Sequence, residues 1–384
     1  MQAYLDNAAT TRCSLHAAEA MMQVMCENFG NPSSLHQKGV DAERCIREAK
    51  TFFAENLKVK DKEIYFTSGG TESNNLAIIG TALANQRAGK HLITTAIEHA
   101  SVAHPMKYLE KQGFRVTYLP VDQDGIVSLK ALSEALCEET ILVSVMYVNN
   151  EIGSVQPIPE IGALLKERDS KAYFHVDAIQ AYGKYKILPQ KEGIDLLSIS
   201  GHKLHGPKGV GMLYIQEKVK IHPLLHGGGQ QKDLRSGTEN VPGIVGITEA
   251  ARECYAQLEE NRSHLYHLKQ LFAEELSTLE GVRINGRTKE DSAPHIISVS
   301  FEGVRSEVLL HALEEKGIYV SAGSACSSNK PSISHTLQGI GLSKELSGST
   351  LRFSFSFDTT EEEIYYCLQE LRELLPMLRR YVRR

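Results

Sequence analysis

Between residues 63 and 215 the chain returns again and again to short runs of β-branched, aromatic and other apolar residues. They read "EIYFT" (63–67), "HLITTA" (91–96), "FRVTYLP" (114–120), "ILVSVMY" (141–147), "AYFHV" (172–176), "LLSIS" (196–200) and "VGMLYI" (210–215). Most leave no polar face, which predicts strands buried on both sides. Helical patterns lie between them. "TESNNLAIIGTALANQRAG" closes at Gly89, and "PEIGALLKERDS" is another. Alternation of this kind predicts an α/β fold, a mainly parallel sheet flanked by helices.

Beyond about residue 250 the rhythm changes. "GITEAARECYAQLEENRSHLYHLKQLFAEELSTL" reads as one long helix or two in succession. "HIISVSF" (295–301), "SEVLLHALEEKG", "IYVSAG", "TLRFSFSF" (350–357) and a helix from Thr360 follow. This predicts a smaller α+β domain joined to the first. The expected division is a large domain over 16–258 and a small one from 1–15 and 259–384.

Formal net charge is -5, so no global positive field recruits nucleic acid. Seven cysteines make an odd count, and no pair has C-x-x-C spacing. That argues against a disulfide framework or a zinc site and fits a reducing, cytoplasmic setting. The start "MQAYLDNAATTRC" lacks a basic region followed by an apolar core, so no secretory signal is expected. No run of about 18 apolar residues exists, so no membrane span is expected.

Five stretches carry chemistry. In "TSGGTESNN" (67–75) a strand ends, two glycines turn the chain, and a helix begins near Thr71. Such a turn suits a phosphate, although alone it reads equally as a plain helix cap. In "FHVDAIQAYG" (174–183) Asp177 follows an apolar strand, and Gln180 lies three residues on. A carboxylate there points into the crevice where α/β sheets bind ligands, and it needs a cationic partner such as a protonated pyridine nitrogen. In "SISGHKLHGPKGVG" (198–211) Lys203 stands between His202 and His205. A lysine held in a pocket can lose its proton and form a Schiff base. The two histidines find no third ligand, so no metal is expected. His99 in "TAIEHASV" and Asn150 in "YVNNEIG" end two further strands. They offer a ring to stack or a proton carrier, and an amide. Phosphate, pyridine nitrogen and aldehyde are the three handles of pyridoxal 5′-phosphate, which needs a lysine and an acid on its ring nitrogen.

With these residues assembled, the chain resembles the cysteine desulfurases of the class V aminotransferase group, fold-type I pyridoxal-phosphate enzymes. The resemblance runs end to end through "YLDNAATT", "GNPSSLH", "TSGGTESNN", "VNNEIG", "HVDAIQ", "SGHKLHGPKG", "GGGQQKDLRSGTEN", "SAGSAC" and "LRFSFS". The form "SAGSACSS" resembles the group with a long cysteine loop. Ile179 departs from the pattern, where a smaller residue is commoner, as does "NKPSIS" after the cysteine.

The resemblance implies roles for these residues. Lys203 would carry the cofactor, and Asp177 would keep its ring nitrogen protonated. Gln180 would bond the ring hydroxyl, with Asn150 close by at the substrate. His99 would stack on the ring and move protons. Gly70, Thr71, Ser200 and His202 would hold the phosphate. Thr238 would reach the phosphate of the other subunit of a homodimer, and Arg352 would pair with the substrate carboxylate. Cys326, alone among small residues in "SAGSACSSNKPS", would attack the sulfur of L-cysteine, leaving alanine and a persulfide. A sulfur-acceptor protein, an iron–sulfur scaffold or a sulfurtransferase for tRNA or thiamine, would receive it. The other six cysteines read as structural or incidental. Selenocysteine lyase, an ordinary aminotransferase and a non-catalytic sulfur-relay protein remain alternatives.

Overall fold

Runs with no polar face can be buried from both sides, and this chain does so with most of them in one sheet. The structure is a computed structural model that describes residues 1–322 and 334–382. In chain order its strands are β1 (Ala3–Tyr4), β2 (Ile64–Thr67), β3 (His91–Thr95), β4 (Arg115–Leu119), β5 (Thr140–Met146), β6 (Tyr173–Asp177) and β7 (Leu196–Ser200). They continue with β8 (Gly211–Ile215), β9 (Val282–Asn285), β10 (Ile296–Phe301), β11 (Ile318–Tyr319), β12 (Ser321–Ala322) and β13 (Thr350–Ser354).

The large sheet has the order β2-β8-β7-β6-β5-β3-β4. Strands β7, β6, β5, β3 and β4 are parallel, as the sequence leads one to expect. β8 is reversed and pairs antiparallel with both β7 and β2. The cause is the link before it. Between Ser200 and Gly211 the chain makes only a 3₁₀ turn, Gly201–Lys203, whereas a parallel crossover needs roughly a dozen residues or more.

Period two splits the side chains between two cores. Leu197, Ile199, Phe174 and Val176 face helices Leu15–Cys26, Gln37–Leu57 and Val241–Ala256, which contribute Ala17, Phe53 and Ile247. Leu92, Leu142 and Leu196 face the other side, covered by Ile78, Val102 and Met106. A second, antiparallel sheet of order β12-β13-β10-β9 has its own core around Phe272, Phe301, Phe353 and Leu371. Helices Leu258–Ser277, Ser306–Glu315 and Glu361–Val382 cover it. The stretch read as one long helix or two is two, Val241–Ala256 and Leu258–Ser277, separated at Gln257. No helix among the described residues is long and apolar enough to cross a membrane.

One buried histidine ties three strands. His175 of β6 bonds Ser144 Oγ of β5 at 2.8 Å through Nδ1 and Ser198 Oγ of β7 at 3.0 Å through Nε2. Burial pushes its pKa down from 6.5 to about 3. The unfolded chain therefore binds a proton that the folded chain refuses, and stability falls as pH drops from 6.5 towards 3. His175→Gln is expected to flatten the acid limb of unfolding free energy against pH by about 1.4 kcal/mol per pH unit, measured by urea titration. An unchanged slope would assign the acid limb to other groups.

Candidate active site

The site lies where strands of the large sheet end. After β2, Gly69 takes φ 148°, a region open to glycine, and Gly70 starts a helical run that continues to Asn85. The first N–H groups of such a run have no acceptor within the helix. β3 delivers His99, β5 delivers Asn150, and β6 ends in Asp177 with Gln180 just beyond. β7 ends in Ser200, followed by His202 and Lys203. Arg352 comes from β13 in the second sheet. All these side chains, with Gly70 and Thr71, line one cavity of about 280 Å³. Ala8, Ala9, Ser101, Met146, Val148 and Ile179 complete its wall.

Asp177 is held from two sides. Asn74 Nδ2 donates to Oδ2 at 2.8 Å, and the Ile179 N–H donates to Oδ1 at 3.0 Å. Burial pushes its carboxyl above the usual carboxylate range, so its ionised form calls for a cation. The network runs on from Asn74 to Ser101 Oγ at 2.8 Å, and from Ser101 Oγ to His99 Nδ1 at 2.8 Å. The Ser101 backbone N–H also donates to that nitrogen at 3.1 Å. A neutral His99 therefore carries its proton on Nε2. Burial pushes its pKa down, against the opposing pull of Asp177. Burial and the neighbouring Lys203 and Lys208 charges push His202 down to about 4, so it too is neutral near pH 7.

Lys203 Nζ donates to Ala8 O at 2.6 Å and Ala9 O at 2.7 Å. Gln180 Nε2 donates to the same Ala8 oxygen at 2.9 Å, and Gln180 Oε1 lies 3.3 Å from His295 Nε2. From below, Lys184 Nζ donates to the Lys203 carbonyl at 2.9 Å. Arg352 Nη1 donates to Asn150 O at 2.9 Å, and Nη2 pairs with Asp6 Oδ1 at 2.7 Å. Among the described residues, two buried polar atoms of the wall have no hydrogen-bond partner, Ser200 Oγ and Arg352 Nε.

Two residues singled out from the sequence are not in this assembly. Thr238 lies exposed on the segment before helix Val241–Ala256 and does not line the cavity. Cys326 lies outside the described residues. Sequence reasoning gave no role to Asp6, Ala8, Ala9, Asn74, Ser101, Lys184 or His295. "YLDNAATT" was noticed as a block, but no local pattern says that its carbonyls meet a lysine nearly two hundred residues away.

A family model described as aminotransferase class-V matches residues 3–366. The cysteine desulfurase IscS of Methanosarcina thermophila is 46% identical over 376 residues, 98% of this chain and 92% of that protein. A putative cysteine desulfurase IscS 1 of Bacillus subtilis is 46% identical over 378 residues, covering 98% and 99% of the two chains. Among solved structures, a NifS-like protein superposes with a TM-score of 0.93 at 39% identity, over 98% of this chain and 100% of that one.

The cavity wall makes its own packing prediction. A Cβ on Gly70 would fall 2.2 Å from Ile179 Cδ1, so Gly70→Ala must drive that side chain out of place. Gly70→Ala is expected to destabilise by about 1–3 kcal/mol through overpacking. Adding Ile179→Ala should recover much of the loss as coupling in a double-mutant thermal-melt cycle. Additive effects would show that the two residues do not press on each other.

Proposed function

Because the chain belongs to the aminotransferase class-V family and, with its IscS and NifS-like relatives, is a cysteine desulfurase of fold-type I, we propose that the Lys203 cavity holds pyridoxal 5′-phosphate and that Cys326 takes the sulfur of L-cysteine. The convergence of Lys203, Asp177, His99 and Arg352 on one cavity carries this reading. The wall fits the cofactor. Ser200 Oγ, buried and without a partner, stands with Gly70 and Thr71 as a receptacle for phosphate oxygens. The absence of a Cβ on Gly70 keeps that end open. The fully buried Asp177 carboxyl calls for the cation that a protonated pyridine nitrogen is.

When bound, the cofactor supplies an aldehyde for attachment and an electron sink for the charge left at the substrate Cα. Lys203 would hold the cofactor and supply Nζ as the base for the Cα proton. Asn74 and the Ile179 N–H hold both oxygens of Asp177, which would fix the carboxylate for a pyridine nitrogen. Gln180 and Asn150 offer amides to the ring hydroxyl, and His202 joins the phosphate end. His99 would stand against the bound cofactor and exchange a proton at Nε2, its Nδ1 being engaged by Ser101. Arg352, which lines the cavity, takes the substrate carboxylate. The Cys326 thiolate forms a bond to the substrate sulfur as the substrate Cβ–S bond breaks. A persulfide stays on Cys326, and protonation of the carbon skeleton yields L-alanine.

The same reading extends to a homodimer in which Thr238 serves the partner's phosphate. Its support is that Thr238 is exposed away from its own cavity, close to three successive left-handed residues, Gln231, Lys232 and Asp233. A protein of iron–sulfur cluster assembly or of tRNA or cofactor thiolation receives the sulfur, in the cytoplasm. The free thiols of the other six cysteines support a reducing compartment. A large domain over 16–258 and a small one from 1–15 and 259–384 remain our division of the chain. The separate core around Phe272 and Phe353 supports it.

The decisive measurement is alanine formation from L-cysteine. The wild-type protein is expected to form it, and Cys326→Ala and Lys203→Ala each to lose about a thousandfold or more in rate. Alanine from Cys326→Ala at the wild-type rate would remove that thiol from the mechanism.

A further inference from the structure

Arg352 is almost wholly buried, its side chain 7% exposed, and a buried guanidinium needs a counter-charge before any substrate arrives. Among the described residues the carboxylate ion-paired with it is Asp6, at 2.7 Å from Nη2. Glu151 also lies near, but burial raises its pKa and weakens its claim as an anion. Backbone hydrogen bonds set the register that brings Asp6 and Arg352 together. Ser354 N donates to Leu5 O at 2.7 Å and Ala8 N donates to Ser354 Oγ at 2.8 Å, so residues 5–8 run along β13. Arg352 sits on that strand two residues before Ser354.

The geometry also has a front and a back. Arg352 lines the cavity, whereas Asp6 does not. Nη2 donates to Asp6 and Nη1 to Asn150 O, and each nitrogen carries a second N–H. A substrate carboxylate arriving at the guanidinium from the cavity would therefore share one cation with a second carboxylate held on the side away from the cavity.

We propose that Asp6 is a positioning residue that sets substrate affinity: from behind Arg352 it orients the guanidinium and dilutes its charge, weakening the hold on the α-carboxylate of both L-cysteine and L-alanine. This rests on Arg352 being the carboxylate site. L-Cysteine and L-alanine present the same carboxylate, so the effect is uniform binding, which moves KM and product inhibition together. Product leaves more readily because the grip is shared.

Asp6→Asn keeps an oxygen for Nη2 and removes the charge. In the purified holoenzyme we expect it to lower KM for L-cysteine and the inhibition constant of L-alanine by a common factor of about ten, the scale of one screened carboxylate pair. Inhibition by L-alaninamide, which has no carboxylate, should not change. Asp6→Glu, which restores the charge, should bring L-alanine back towards the wild-type value. If Asp6→Asn leaves the L-alanine constant unchanged or raises it, or shifts L-alanine and L-alaninamide alike, the proposal is overturned. Arg352→Gln separates the two levels. If it weakens L-alanine but not L-alaninamide, the carboxylate site stands and only the role of Asp6 is at stake. If it weakens neither, the carboxylate site itself falls and the role of Asp6 with it.

Discussion

Residues 5 to 14 form a seam on which the rest of the site depends. On one side the seam is hydrogen-bonded to β13, through Leu5 O, the Asn7 side chain and Ala8 N to Ser354. On the other it is bonded to the turn after β7. Thr11 N donates to His202 O, His205 N donates to Thr11 Oγ1, and Ser14 N donates to His205 O, all at 2.8–2.9 Å. Two sheets with separate cores are thereby held at a spacing that lets Arg352 and Lys203 share one cavity. The two carbonyls that Lys203 meets, Ala8 and Ala9, belong to the same seam.

Burying this much charge is costly, and the surroundings show how the cost is limited. Glu98 sits under the end of β3, bonded to Thr95 Oγ1 and Met146 N. Burial, with the nearby Asp177 charge, raises its pKa to about 8, so near neutral pH it is mostly protonated and adds little repulsion to Asp177. Lys184, pushed down to about 8 by burial, gives its hydrogen bond to the Lys203 carbonyl and so fixes the backbone beneath that lysine. The chain from Asp177 through Asn74 and Ser101 to His99 sets the tautomer of the imidazole with neutral partners rather than charges. Polar groups with partners define one arrangement of the site before any ligand enters.

The large sheet was readable because most of its strands, the edge strand β4 excepted, are buried on both faces and so appear as apolar runs whose ends shift by only a residue. "LLSIS" matches β7 throughout, and "HLITTA" overruns β3 only at Ala96. The reversal of β8 was written in the shortness of the 201–210 link, but its apolar run looks like that of its parallel neighbours. Short strands such as β1, which pairs with β11, and β9, which pairs with β10, owe their places to those partners rather than to their own pattern. Asp177 and Lys203 were legible because an ionisable residue directly after a buried strand is conspicuous. Asn74 and Ser101 were not, since amides and hydroxyls at helix starts ordinarily do no more than cap.

The sequence by itself determined which segments form the large sheet, that most of that sheet is parallel, and which side chains stand at its strand ends. Those follow from local rules, the period of the apolar residues and the residues a turn requires. Only the tertiary structure decided that Asp6 stands behind Arg352, that Ala8 and Ala9 face Lys203, and that a buried Asp177 lies among neutral donors. These are meetings of residues far apart in the chain. A charge takes its strength and its pKa from what surrounds it in space, and no local pattern records that.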